Sequence, residues 1–460
     1  LAPASPGDLC FLRDHREQKL YWVDLTTNIF LSGLLSGDVI NSIDAPPGSP
    51  WQDSGAFFYD DMALYLFAGL PNTGTPVDTI WSYNTSTEKW KELAVAGGKL
   101  NFGTRRNAWF ASELMRKRSF YLGGSAISIQ TIARFVKGLL VIDARDPSHL
   151  TWENKTVSGG DGEEVPSTFE GAMVYVPKGK EGVLLGMGGY DVRRRRPASR
   201  NAKPGEAIYR HMDQIYVYDI ESSTWYTVTA TGDIPSDEAQ FCAAVFSSPD
   251  GSSFQVYIYG GFCLLTSTTN EEVYILTIPS FRWIKVATIG NLEAELSSGA
   301  GKSLAHCLAW RERTMFAVGG YIGLDTGHLG VNAQGCNQSY PPIRVLDTSE
   351  LAWLTHYDFS SARQPYFVPK AVYNVIGGDP SGNAQLNSPE DGWKNQRLST
   401  IFAQTAQSLM PTATTSNAHP TETGTPPPKY TGKIAGGVIG GVLGVVLIVG
   451  IVVWLRHRRR

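Results

Sequence analysis

The chain has 460 residues, 42% of them hydrophobic and 11% aromatic, and a formal net charge of −3. That apolar content supports a substantial core and excludes a chain disordered throughout. The near-neutral balance supplies no basic field, which argues against a nucleic-acid partner.

The sequence opens at Leu1 without a methionine or a basic-then-apolar leader, which fits a removed signal peptide or an incomplete start. A first strand-like run, KLYWVDLTTNIFLSG (19–33), has Val23-Asp24 where later units carry glycines, and no tryptophan follows at the expected point. From there one order of parts recurs: an apolar strand ending in Gly-Gly, a loop, a strand of the type IYVYD, a turn, and a tryptophan. The copies are LYLFAG (64–69), IWSYN (80–84) and Trp90, with Ala68 replacing the first glycine; then FYLGG (120–124), 139–143 and Trp152. Next come LLGMGG (184–189), 215–219 and Trp225; VYIYGG (256–261), 273–276 and Trp283; and MFAVGG (315–320), 343–347 and Trp353. A last unit has YNVIGG (373–378) and a strand candidate LSTIFAQ (398–404), but no closing tryptophan strand.

Runs with small residues precede the Gly-Gly strands, as in FEGAMVYV (169–176), FCAAVF (241–246) and LAHCLAW (304–310). Short turns, SPDG (248–251) and RERT (311–314), join them to the next strand. Each unit therefore holds four strands, and four-stranded units repeated radially make a β-propeller. Small side chains suit the strands crowding a central channel. Glycine, with no Cβ, lets the second strand leave tightly packed backbone at positive φ. The aromatic residues then fill the wedges between blades.

These motifs resemble the kelch-repeat family, over roughly residues 9–402. The segments FCAAVFSSPDGSSFQVYIYGGF and YFVPKAVYNVIGGDPSGNAQLNSPEDGW are similar to secreted or membrane-bound kelch proteins of filamentous fungi. That resemblance implies a propeller, a Thr/Ser/Pro stalk and one membrane helix, and defines no activity. Counting the degenerate first unit gives seven blades, preferred over six. Strands from both termini sharing one blade would make the defects at the two ends a single feature.

Alternating strand direction puts the loops after the glycines on one face of the disc: residues 125–137, 190–214 and 321–342. Long loops on a rigid scaffold carry recognition, so the ligand face is expected there. Tyr190 starts a loop with Arg193, Arg194, Arg195, Arg196, Arg200 and Lys203. This basic run reads as a docking site for an anionic glycan or acidic partner, as a dibasic cleavage site (with Pro197 opposing a cut after Arg196), or as a solvated loop. Asp325 and His328 stand close together in the last long loop, but a pair lacks the further ligands that make a metal site.

The five cysteines form no Cys-x-x-Cys, and neither His-Glu-x-x-His nor Gly-x-Ser-x-Gly occurs. An oxidising lumen favours disulfides, and Cys307–Cys336 and Cys242–Cys263 hold corresponding places in successive units, leaving Cys10 odd. Galactose-oxidase-like copper enzymes also use such a propeller, but His15, His149, His211, His306, His328 and His356 are scattered. The expectation is a non-enzymatic protein without cofactor or metal.

Asn84, Asn154 and Asn337 head Asn-x-Ser/Thr sequons. Residues 403–433 are rich in Thr, Ser and Pro and read as a disordered, O-glycosylated stalk or plain spacer. IAGGVIGGVLGVVLIVGIVVWL (434–455) is uncharged and, as a helix, would span roughly 33 Å, enough for a bilayer core. Four arginines within 456–460 belong in the cytosol, placing residues 1–433 outside or in a lumen, most simply at the plasma membrane. Gly436, Gly440 and Gly444 recur every fourth residue, permitting a helix dimer or simply a glycine-rich anchor. The chain thus reads as an all-β, kelch-type propeller (1–402), a stalk (403–433), a membrane helix (434–455) and a basic tail (456–460). Its expected role is binding a protein or glycan through the long loops, with carbohydrate oxidation as the alternative.

Overall fold

The computed structural model describes residues 9–14, 19–35, 39–46, 49, 56–59, 63–67, 80–93, 104–106, 108–128, 131–135, 138–146, 149–155, 169–191, 208–263, 268–287, 301–322 and 341–404. The chain divides into a compact unit, Leu1–Met410, and a second, Pro411–Arg460. All described residues fall in the first, so the expected membrane helix, its glycines Gly436, Gly440 and Gly444, and the basic tail lie outside them. Among the described residues no helix is long and apolar enough to cross a membrane.

Four antiparallel four-stranded sheets and one six-stranded sheet follow one another, the four main strands of each in simple chain order; in the six-stranded one Thr231–Gly232 adds parallel to Arg282–Val286 and Thr268–Thr269 adds to Phe254–Cys263. We number them sheets 2 to 6, by inner strands Ala56–Tyr59, Trp109–Glu113, Ala172–Val176, Ala239–Ser247 and Lys302–Trp310. Sheet 1 has three strands among the described residues: Leu9–Asp14, Lys19–Asp24 and Ile40–Asp44. Its third strand, INSID, takes the place of the IYVYD strand, which the sequence pattern had not revealed.

The sheets close into a ring because successive side chains of a strand point to opposite faces, one toward each neighbouring sheet. In sheet 4, Leu184 packs with Trp109 and Phe120 of sheet 3, while Leu185 packs with Val256 and Ile258 of sheet 5. In sheet 5, Tyr257 faces Met315 and Ala317 of sheet 6. Phe58 and Tyr65 join Tyr121 and Leu140 between sheets 2 and 3. Sheet 1 completes the circle, with Leu20 against Leu64 and Tyr83 of sheet 2, and Val23 and Leu25 against Val318 and Val345 of sheet 6. A strand buried on both sides must be apolar throughout, which is why Val183–Met187 is buried at every residue.

The glycine doublets answer to crowding. At Gly260 (φ +76°) a Cβ would overlap the carbonyl oxygen of Lys302, where the next inner strand begins. Two residues before a doublet, Gly186 leaves room for the Trp109 ring from the neighbouring sheet. At the channel, Phe110 of sheet 3 and His306 of sheet 6 bring their ring centroids to 6.0 Å, so opposite walls meet.

The seventh unit is corrected. YNVIGG and LSTIFAQ are helical, not strands. After Phe359–Ala362 (α1), capped by Asp358, the chain forms Lys370–Ile376 (α2) and Gln396–Ala403 (α3). Helix α2 buries Val372 and Ile376, four residues apart on one face, and stops at Gly377 (φ 78°). A left-handed glycine thus ends a helix here and a strand elsewhere. Helix α3 runs one residue into the expected stalk. The termini do meet: Ile29–Phe30 pairs with His356–Tyr357, and Leu31 N–H donates to Thr355 O at 3.0 Å. They do so in a two-stranded sheet of their own, not by sharing a blade, and among the described residues the ring comprises six sheets, the first with three strands.

From Asp358 to Gln404 the chain runs back along the face that carries the short turns. Tyr366, Val368, Val372 and Ile376 join the core between sheets 5 and 6. Asn383 N–H donates to Asp250 Oδ2 at 2.6 Å, at the first turn of sheet 5. Leu398, Ile401 and Phe402 of α3 enter the core between sheets 4 and 5. Phe402 stacks on Trp393 at 5.0 Å, and Arg397 clasps Asp219 and Glu221 at 2.7 and 2.8 Å. This strap covers the turn face of sheets 6, 5 and 4.

Candidate binding face

The opposite face carries the long loops and the sheet-to-sheet connections. Of the loop residues singled out in sequence, Tyr190 lies in a two-residue strand whose backbone pairs with Tyr209. The basic loop is therefore rooted in a small β-ribbon, while Arg193, Arg194, Arg195, Arg196, Asp325 and His328 lie outside the described residues. The loop after sheet 3's doublet is not irregular throughout: Ser125–Ser128 pairs with both Thr131–Phe135 and Thr104–Arg106.

Sequence reasoning missed three polar anchors that hold the returning ends of these loops. His211 Nδ1 lies 2.7 Å from Asp237 Oδ2, and Met212 N–H donates to Asp237 Oδ1 at 3.1 Å, fixing the return of sheet 4's loop. Asn270 donates from Nδ2 to Glu238 Oε2 at 3.2 Å and from its backbone to Gly261 O at 3.0 Å, fixing sheet 5's. Lys302, 3% exposed, donates to Pro341 O at 2.7 Å at the return of sheet 6's loop. The available signal was a charged residue just before each small-residue run, in DEAQF and GKSLA.

Beside the anchors, Glu170, Gln240 and Leu304 occupy the same position in three successive sheets. All adopt left-handed backbone, with φ of 59°, 64° and 57°. Side chains tolerate that region poorly, and the arrangement is held by bonds between sheets. Gln240 donates to Glu170 from its backbone at 2.6 Å and from Nε2 to Oε2 at 2.7 Å.

Glu238 is 2% exposed. Burial, with a smaller contribution from Glu272, pushes its carboxyl up to about 8 despite the Asn270 hydrogen bond. His306 keeps an exposed side chain, yet the protein packed around it lowers it to about 4. No group of three or more His, Cys, Asp or Glu able to hold a metal occurs among the described residues.

The cysteine expectation is corrected. Cys242 bonds to Cys307, not to Cys263, and Cys307 does not bond to Cys336; the bridged Cα atoms lie 5.1 Å apart across 65 residues of sequence. Along the hairpin of sheet 5, Cys242 stands opposite Tyr259, well short of Cys263, whereas inner strands of neighbouring sheets converge at the channel. Cys336 lies outside the described residues. Of the sequons, Asn84 uses Oδ1 to accept from Ser86 and Thr87 N–H at a turn, leaving its amide nitrogen clear of those bonds. Asn154 buries Oδ1 without a hydrogen-bond partner, and Asn337 is outside the described residues.

A ring of antiparallel sheets about a narrow channel, with glycine doublets at equivalent corners, is a β-propeller. The family model described as the KLHDC2/KLHL20/DRC7 Kelch-repeats domain matches residues 11–261, more than half the sequence, and the chain belongs to the kelch-repeat family. It is similar to a "Kelch repeat-containing protein" of Arthroderma benhamiae (strain ATCC MYA-4681 / CBS 112371). The two are 29% identical over 489 residues, which cover 93% of this chain and 67% of the relative.

Proposed function

We propose that this propeller is a non-enzymatic binding module that takes a protein or glycan on its loop face. The observation that carries the reading is the strap: the chain covers the turn face of three sheets with its own residues, and the long loops are on the other side. Tyr190 and the basic run Arg193 to Arg196 are the first contacts to test, and Asp325 and His328 the next. Residues 434–455 would anchor the protein as a single membrane span, with a glycine-mediated dimer through Gly436, Gly440 and Gly444. A glycan on this surface belongs at Asn84 in preference to Asn154, whose side-chain oxygen is enclosed.

The test is an array of proteins and glycans probed with residues 1–410, alongside a variant with Arg193, Arg194, Arg195 and Arg196 changed to Gln. Binding that falls at least tenfold in the variant supports the reading. An array silent for the wild type rejects it.

A further inference from the structure

We infer that Glu238 is the receptor for a cationic side chain, a lysine ammonium or an arginine guanidinium, brought by the partner of the loop face. The inference rests on the binding role proposed above and names the group that would be recognised.

Three anchors hold the loop returns, and two are complete. Asp237 uses both oxygens, and Lys302 places its ammonium on a carbonyl. Glu238 uses one. Its Oε2 takes the 3.2 Å bond from Asn270, while Oε1 is buried with no hydrogen-bond partner. An unsatisfied buried carboxyl oxygen costs free energy that a structural acid has no reason to keep.

Among the described residues the surroundings supply no cation. Glu238 lies against Gly261, where a Cβ would stand 2.8 Å from Oε2 and 3.2 Å from Phe241 Cβ. The charged and titratable neighbours are Glu272 and Tyr274 from the third strand of sheet 5 and Asp237 from its own segment. Lys285 is engaged with Glu272, and His211 with Asp237. The corresponding place in sheet 6 holds Lys302, so sheet 5 has a buried acid where sheet 6 has a buried base.

With no cation beside it, the acid keeps its proton at neutral pH, consistent with its raised pKa. An arriving ammonium displaces the long Asn270 bond and pairs with the carboxylate. The proton leaves to solvent, so the corner gains one cation and one anion and stays neutral.

The experiment uses the full chain at pH 7, with n-butylammonium and methylguanidinium chloride as probes. Sodium and tetramethylammonium chloride, which cannot donate a hydrogen bond, are the controls. A saturable rise in Tm with the two donors alone is expected in wild type and in Arg397→Ala on the strap, and its loss in Glu238→Gln and in Glu238→Leu. An equal response in Glu238→Gln, or none in wild type, overturns the inference. A partner from the array should bind at least tenfold more weakly to Glu238→Gln. Unchanged binding there would sink the cation receptor while leaving the binding role intact, and a silent array with a positive probe response would do the reverse.

Discussion

At Gly260 a single missing carbon decides whether two sheets can meet. Alanine there would need φ +76° and would collide with the Lys302 carbonyl, which cannot move without shifting an inner strand. Gly260→Ala should cost about 2–3 kcal/mol, read as a lower denaturant midpoint with unchanged slope. Glu238, which is buried, and His306, which is exposed, shape the pH response with opposite signs. Glu238 has a folded pKa of about 8, above its unfolded value, so the folded state binds the extra proton. Its contribution is therefore greatest in acid and declines, by about 1.4 kcal/mol per unit, until pH passes 8. His306, lowered to about 4, favours the folded state above its unfolded pKa and loses that contribution as pH falls from about 6.5 to 4. His306 is exposed and its opposing contribution is screened by solvent, so unfolding free energy measured against pH should fall mainly between about 4.5 and 8. Glu238→Gln should flatten that limb; an unchanged limb would assign the decline to other groups.

The strap is the element on which the turn face depends. Leu398, 1% exposed between sheets 4 and 5, should cost about 2–4 kcal/mol when cut to alanine. Arg397→Ala, at a half-open ion pair, should cost only about 1 kcal/mol. Both should hasten limited proteolysis between residues 358 and 404 ahead of cutting in sheets 2 and 3. This region also shows where the sequence was readable. Gly-Gly after an apolar run marked the second strand of sheets 3 to 6, because a left-handed corner against neighbouring backbone admits little else. The same doublet misled at Gly377-Gly378, since such a glycine also stops a helix and a short run of apolar residues carries no clear period. The third strand of sheet 1 escaped notice because INSID has only two apolar residues and half-open burial. The loop anchors were invisible for another reason: Asp237, Glu238 and Lys302 gain meaning only from partners 26 to 39 residues away.

For the whole molecule, the covalent clasp between sheets 5 and 6 constrains the unfolded chain most, because it closes a loop across 65 residues. In the chain-entropy account a loop of that length is worth about 4 kcal/mol. Reduction, or Cys242→Ser, should lower Tm by several degrees, and peptide mapping of the unreduced protein should recover Cys242 joined to Cys307. A map joining Cys307 to Cys336 would refute the assignment. The first sheet made during synthesis has its second neighbour in the last sheet made, since Val23 and Leu25 pack on Val318 and Val345. A nascent chain therefore emerges as an open crescent with one sticky edge uncovered for some 300 residues of translation. That edge is where a chaperone would be needed, and where a stalled ribosome would leave the crescent prone to join a second copy.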